Sequence, residues 1–437
     1  MYYIFNYYVQ NKFIESEPKL YLREMIEFML NRNKTISFLL MTILLFNLSA
    51  CGKNTETLKK NKQINIYVGV KDKESLNIIK ILTDEYKKKN TKTKVNINNA
   101  IGEKVDENVS ESSDIDIVIA SRNDMLKLVR KGLLADMENI YKQNNLTDKY
   151  YTAVKSYGRF NDRYYGIAII PYTIEILCNK SAFDKLGLKI PNNIDEFNAA
   201  LKSLNSTSMR VPVVLNEGMD INNTLFSIIS SNTITMKKLE NIYDSGSSAY
   251  KKLTEVQKNF DILNDLVKNG SINKDTFEIG NESSLKKFDK GDIPILITSS
   301  YYISSLKSAD IKCFEYYNPN SKNQLKVPIM ADAIMSVLIS SKNTEETNEF
   351  IKFAFGKDTQ KKLSEKGFVT GFKSSDISKD GIKKCVITHL ENSTEDNIAF
   401  IYNVPESFKN NISSKVDSIL SGKYTKNEWN EVVDESS

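Results

Sequence analysis

Residues 160–188, FNDRYYGIAIIPYTIEILCNKSAFDKLGL, hold two apolar runs separated by a single proline. A polar, aromatic turn from Asn161 to Gly166 leads into the run at 167–170, which Pro171 stops. A second run, 174–178, ends in the polar helix start Asn179-Lys180-Ser181. Proline has no N–H to give a sheet ladder and holds its φ near −65°. Two short strands on either side of it read as a chain leaving one sheet and entering another in a defined direction. Tyr172, just past the break, is expected between two lobes, where a ligand would sit.

On both sides of this stretch the chain alternates strand and helix patterns. Residues 64–70 alternate as a strand, 74–89 carry apolar residues at helical spacing, and 94–98 and 117–120 read as further strands. The run at 117–120 is wholly apolar, as expected of a central strand in a parallel sheet. A helix over 124–130 ends at Lys131-Gly132. Beyond Pro171, helices are expected near 194–204, 222–270 and 284–289, and strands at 211–215 and 293–299. Residues 311–316 read as a return crossing, followed by a strand at 334–340 and helices at 343–355 and 357–365. A third crossing is expected after Gly367, then helices at 406–420 and 426–433. The order argues for an α/β protein.

The chain has 437 residues, 41% hydrophobic and 26% charged, enough for two domains with a sizeable core. Its net charge of +5 comes from lysines dispersed among acids, which excludes a nucleic-acid-binding stripe. The first fifty residues stand apart. A basic flank (Arg32, Lys34), a short apolar run and then Leu48-Ser49-Ala50-Cys51 resemble a bacterial lipoprotein signal, with Cys51 as the lipidated residue. Residues 51–63 read as a flexible tether. The remaining cysteines, Cys178, Cys313 and Cys385, have no metal-type spacing and imply no disulfide framework. The sole histidine, His389, has no catalytic or metal-binding partner nearby in sequence. No metal, cofactor or enzymatic activity is therefore expected.

Four stretches in order are similar to the extracellular solute-binding proteins of ABC importers, of the maltodextrin- and multiple-sugar-binding type. They are 116–138 (DIVIASRNDMLKLVRKGLLADME), the opening stretch with its continuation PNNIDEF, 288–306 (FDKGDIPILITSSYYISSL) and 338–367 (LISSKNTEETNEFIKFAFGKDTQKKLSEKG). The tail Ser421-Gly422-Lys423-Tyr424-Thr425 matches a common ending of that family. The chain departs from the family at Ala331-Asp332-Ala333-Ile334-Met335, where glycines are usual, and at Tyr301, where the family carries tryptophan.

The resemblance implies a two-lobed, type II periplasmic-binding-protein-like fold with discontinuous lobes joined by a multi-strand hinge. Residues 64–170 with 316–370 would form one lobe, and 171–315 with 371–437 the other. It also implies a monomer on the outer face of the cell membrane, anchored through Cys51, that hands a small solute, a sugar, to the permease subunits; abundant Lys, Asn and Ile fit a low-GC Gram-positive bacterium. Tyrosine faces cover the apolar face of a sugar ring while carboxylates, amides and lysines bond its hydroxyls. Tyr172, Tyr301 and Tyr302 are the expected aromatic contacts, with Lys71, Asp72 and Asn123 as polar ones and Phe408 as a C-terminal one. Asp124 can instead cap its own helix. Other readings are a binding protein for a peptide, polyamine, phosphonate or metal complex, and a surface receptor or adhesion lipoprotein that no longer transports.

Overall fold

Pro171 separates two sheets. The computed structural model describes residues 62–99, 104–243, 245–315, 326–379 and 381–436. Cys51, the signal-like segment and nearly all of the tether lie outside the described residues. No helix of the described residues is long and apolar enough to cross a membrane.

In chain order the strands are β1 (Gln63–Val68), β2 (Lys94–Asn99), β3 (Ile117–Ala120), β4 (Arg159–Phe160), β5 (Arg163–Tyr164), β6 (Ile167–Ala168) and β7 (Tyr172–Asn179). They continue as β8 (Val211–Val214), β9 (Phe277–Ile279), β10 (Ile295–Ser299), β11 (Ile311–Cys313), β12 (Ile329–Met330) and β13 (Ile334–Val337). The first sheet runs β2-β1-β3-β13-β6, and the second β11-β7-β10-β8-β9, with β12 also on β7. The short hairpin β4-β5 stands apart. β6 belongs to the first sheet and β7 to the second, so the chain changes sheets across Pro171 as its sequence suggests.

Apolar patterning explains the layers. β3 is buried along its whole length because it lies between β1, which is parallel to it, and β13, which is antiparallel. The first sheet is therefore mixed rather than purely parallel. Beside it, the helix Lys73–Lys89 begins at Asp72, whose carboxylate accepts from the Ser75 N–H at 2.7 Å. That cap satisfies a backbone donor that the first helical turn cannot. The helix buries Ile78, Ile79, Leu82 and Tyr86, and the Tyr86 ring meets Phe350 edge-on at 4.9 Å. Phe350 lies on the helix Thr344–Ala354. The second sheet is covered by helices that include Ile194–Ser206, Ile221–Ser230 and Thr254–Lys268. Trp429 closes that core, donating its indole N–H to the Tyr250 carbonyl at 2.8 Å.

Two expectations need correction. Residues 311–313 do not cross back: β11 pairs antiparallel with β7 in the second sheet, and so does β12. The return to the first sheet falls between Met330 and Ile334, so the lobe boundary expected at 315/316 lies later in the chain. Which sheet the stretch joins is a long-range choice that its local pattern does not encode. The second correction concerns the cysteines. Cys313 and Cys385 form a disulfide across 72 residues, tying β11 to the helix Gly381–Glu391. Cys178 is the free cysteine of the described residues; it is buried, and burial pushes its thiol up to about 12.

The third crossing runs through Gly371, after which the helix Gly381–Glu391 packs on β7 and β11. The φ of Gly371 is +79°, and a Cβ there would lie 2.7 Å from Val154 Cγ2 and 3.1 Å from Pro171 Cγ. Glycine alone tolerates both the left-handed backbone and this approach. The Asp376 carboxylate holds the turn by accepting from the Thr370 N–H at 2.8 Å and the Gly371 N–H at 2.7 Å. The third crossing thus lies against the first.

Candidate functional site

The carboxyl ends of the strands face the gap between the sheets, and their loops meet across it. After β1 come Lys71, Asp72, Lys73 and Glu74. After β8 come Asn216 and Glu217, and after β10 come Tyr301 and Tyr302. The Lys73 N–H donates to Glu217 Oε2 at 3.1 Å, and the Glu217 N–H donates to Glu74 Oε2 at 3.1 Å. Tyr302 donates its hydroxyl to Glu74 Oε1, and Asn77 donates to the Tyr301 hydroxyl at 3.1 Å. Loops at the carboxyl ends of strands are where open α/β sheets present ligand sites.

Asp332 lies in the segment joining β12 to β13. Asn216 donates to its Oδ2 at 2.8 Å, and the Tyr402 hydroxyl donates to its Oδ1. Burial and the neighbouring Asp72 push the Asp332 carboxyl up to about 6. Burial, with a smaller contribution from Glu74, also raises Asp72 despite its bond to Ser75. Three carboxylates, those of Asp72, Glu74 and Asp332, thus share one region with tyrosine rings. The nearest lysines stay at the rim: Lys71 is exposed, and Lys73, also exposed, reaches Glu74 at 3.8 Å.

The aromatic residues form a connected group. Tyr172 and Tyr301 meet edge to face with centroids 5.9 Å apart, and Tyr301 touches Tyr302 at 5.1 Å and Phe368 at 5.6 Å. Tyr172 is buried, whereas Tyr301 and Tyr302 are half-buried. Asn123 lies after β3 and donates to Glu406 Oε2 at 3.1 Å, while its buried Oδ1 has no protein partner. Beside it the buried Arg122 donates to Asn403 at 3.2 Å and to the carbonyls of Ser156, Tyr157 and Arg159.

Of the residues singled out from sequence, Asp72, Tyr172, Tyr301 and Tyr302 come together, and Asn123 lies where β3 faces the helix Glu406–Leu420. Lys71 is at the open edge. Phe408 is elsewhere: its ring packs 4.7 Å from Tyr250 and 5.7 Å from Trp429, because its helix turns that face toward the core of the second sheet's helices. Helix capping at 122–130 falls to Ser121, which accepts from the Asp124 N–H, and not to Asp124. Sequence reading overlooked Glu74, Asn216, Asp332 and Tyr402. Asn216 and Glu74 had a usable signal, since each follows a strand's carboxyl end, and Asp332 lies in the stretch that departs from the family's glycines.

Two sheets joined by several crossings, with polar and aromatic loops meeting between them, define a two-lobed binding protein. Residues 82–385 match the family described as bacterial extracellular solute-binding protein, and the chain belongs to that family. It is 22% identical over 334 residues to the multiple sugar-binding protein of Streptococcus mutans serotype c, covering 70% of this chain and 74% of that one. A family 1 extracellular solute-binding protein from Bifidobacterium longum subsp. infantis superposes with a TM-score of 0.63 at 14% identity, covering 86% of this chain and 98% of that one. The GacH receptor of Streptomyces glaucescens, solved unliganded and with acarbose, gives 0.61 at 13% identity, covering 85% and 96%. The fold is that of the type II periplasmic-binding proteins.

Proposed function

We propose that this chain is the substrate-binding lipoprotein of an ABC importer. In this reading it takes a carbohydrate into the gap between its lobes and presents it to the permease subunits in the membrane. The observation that carries this reading is the Tyr172–Tyr301 pair beside Asp72, Asn216 and Asp332: ring faces next to hydroxyl-bonding groups, at strand ends. The names of its relatives, a multiple sugar-binding protein and an acarbose-binding receptor, support the same solute class. Tyr302, Asn123 and Lys71 complete the proposed ligand shell. The lobes are residues 62–170 with 334–370, and 172–330 with 381–436, and the chain acts as a monomer without chemistry of its own. Lipidation of Cys51 would hold it at the outer face of the membrane.

A thermal-shift series of the purified protein against mono- and oligosaccharides tests this. A native-state ligand raises the melting temperature in proportion to the logarithm of its excess over Kd. A concentration-dependent rise with one saccharide class supports the proposal, and silence across saccharides overturns its choice of solute. The carboxylate group of Asp72, Glu74 and Asp332 favours one second reading, a cationic solute such as a polyamine. Such a ligand would show a shift that fades with added salt, which a neutral sugar would not.

A further inference from the structure

Away from the interlobe gap, on the second sheet, three side chains with metal-binding chemistry converge, with His389 beside them. Glu175 sits in β7 and is fully buried. Cys313 lies on the neighbouring β11, paired with Leu177 and so on the same face of the sheet as Glu175. Cys385 and His389 are four residues apart on the helix Gly381–Glu391 and share the helix face that covers this sheet. The ligand atoms of Glu175, Cys313 and Cys385 all lie within 4.8 Å of one another. His389 Nδ1 is 2.9 Å from Glu175 Oε2, and its Nε2 is 3.7 Å from Cys385 Sγ.

We propose that the dithiol form of this cluster is a Zn2+ site, with Cys313 Sγ, Cys385 Sγ and a Glu175 carboxylate oxygen as ligands, water in the fourth position, and His389 as the residue that orients Glu175. The ligand atoms are close enough to share one ion: those of Glu175, Cys313 and Cys385 lie within 4.8 Å of one another, and a tetrahedral ion with Zn–S near 2.3 Å and Zn–O near 2.0–2.2 Å holds its ligand atoms roughly 3.5–3.8 Å apart. His389 Nδ1, 2.9 and 3.1 Å from the two Glu175 oxygens, holds that carboxylate in place, as hydrogen-bonding partners of metal-ligating carboxylates do. Ligand softness points the same way, since two thiolates select zinc over calcium or magnesium.

In the structure the two sulfurs are joined as a disulfide, so the site has two alternative forms. Thiol–disulfide exchange with an external dithiol breaks the S–S bond. It leaves Cys313 and Cys385 as thiols and the dithiol as its own disulfide, a balanced two-electron transfer. Binding of Zn2+ then displaces one proton from each thiol to solvent. Either form ties the helix Gly381–Glu391 to β7 and β11. The sequence contained one signal for this, the Cys385-x-x-x-His389 spacing on an amphipathic helix.

The test uses the purified protein, oxidised or reduced with a phosphine, titrated anaerobically with Co2+ and then displaced with Zn2+. The reduced protein is expected to bind one Co2+ per chain with the visible absorption of a tetrahedral thiolate site, and the disulfide form none. Cys385→Ser and His389→Gln, each shown folded by circular dichroism, should weaken uptake by about tenfold or more. Cys178→Ala should leave it unchanged, because that thiol is buried elsewhere. Absence of uptake by the reduced protein overturns the site, as does uptake that persists unchanged in His389→Gln. The histidine variant leaves both cysteines in place, so the question stays open to decision even if a cysteine variant fails to fold.

Discussion

Asn216, at the carboxyl end of β8, donates to Asp332 at 2.8 Å across the point where the chain passes from β12 to β13. With the Tyr402 hydroxyl on its other oxygen, Asp332 ties the second sheet's loops to the segment that leads back to the first. The same carboxylate bears the electrostatic cost of that position, because burial and Asp72 both disfavour its charge.

Stability should therefore depend on pH through Asp332. Its folded value is raised from 3.8 to about 6, so the folded state binds a proton that the unfolded chain has already released. That contribution is complete below about pH 4 and is lost as pH rises through about 6. A shift of this size corresponds to at most about 3 kcal/mol, reduced by the surface that the side chain keeps. Asp332→Asn should raise the melting temperature above pH 6 and flatten its fall between about pH 4 and 7. Asp376, also pushed up to about 6 by burial, should preserve part of the slope. An unchanged melting profile in Asp332→Asn would show that the group is solvated.

Tyr301 gives the sharpest test of the ligand shell. Its ring joins Tyr172, Tyr302 and Phe368, yet it stays half-buried, so its removal should disturb the fold less than removal of a core tyrosine. Tyr301→Ala is expected to weaken saccharide binding by about 1–3 kcal/mol, using ring-on-base stacking as the analogue. Calorimetric titration reads this directly, and an unchanged Kd removes Tyr301 from the ligand contacts.

The local elements were legible in the sequence because their signals are local. Pro171 marks a change of sheets, the wholly apolar 117–120 run is a buried central strand, and the 357–365 helix falls on its expected residues. What failed depends on distant partners. Residues 311–316 read as a crossing, but 311–313 stay in the second sheet, because the local pattern does not show that β7 is the neighbour. The disulfide joins residues 72 apart that no spacing rule connects. Phe408 was placed by analogy, whereas the orientation of its helix sends it to Trp429. Tyr172, Tyr301 and Asp72 were readable because each follows a sheet break or a strand's carboxyl end. Asp332 was not, since its importance comes from Asn216 and Tyr402, which lie 116 and 70 residues away.

Gly371 should be intolerant of any side chain. Its left-handed φ alone costs an L-residue about 1–2 kcal/mol, and a Cβ would press on Val154 and on Pro171 of the first crossing. Overpacking of that kind adds roughly 1–3 kcal/mol. Gly371→Ala is expected to lower unfolding free energy by about 2–5 kcal/mol in a denaturant titration. Gly132→Ala serves as the control: its φ of +67° carries the backbone cost, but nothing lies within 4 Å of a Cβ there. Equal losses in the two variants would show that the contact with Pro171 is unimportant.

The Cys313–Cys385 disulfide should account for a large part of the second lobe's resistance to unfolding. It closes 72 residues, among them most of the chain that visits the first sheet after β12. By loop-closure entropy a bridge of that span stabilises by roughly 4 kcal/mol, acting mainly on the unfolded chain. Phosphine reduction without added metal, or the Cys313→Ser/Cys385→Ser double variant, should therefore lower the denaturant midpoint substantially. The slope of the transition should change too, because the uncrosslinked chain exposes more surface when it unfolds. The Glu175–His389 pair remains in either case, with His389 2.9 Å from its carboxylate, so the helix Gly381–Glu391 should stay docked on β7 in the native state. Native-state hydrogen exchange across that helix separates the two effects. A reduced protein whose helix exchanges only by global unfolding matches this account, whereas rapid local exchange there would assign the docking itself to the disulfide.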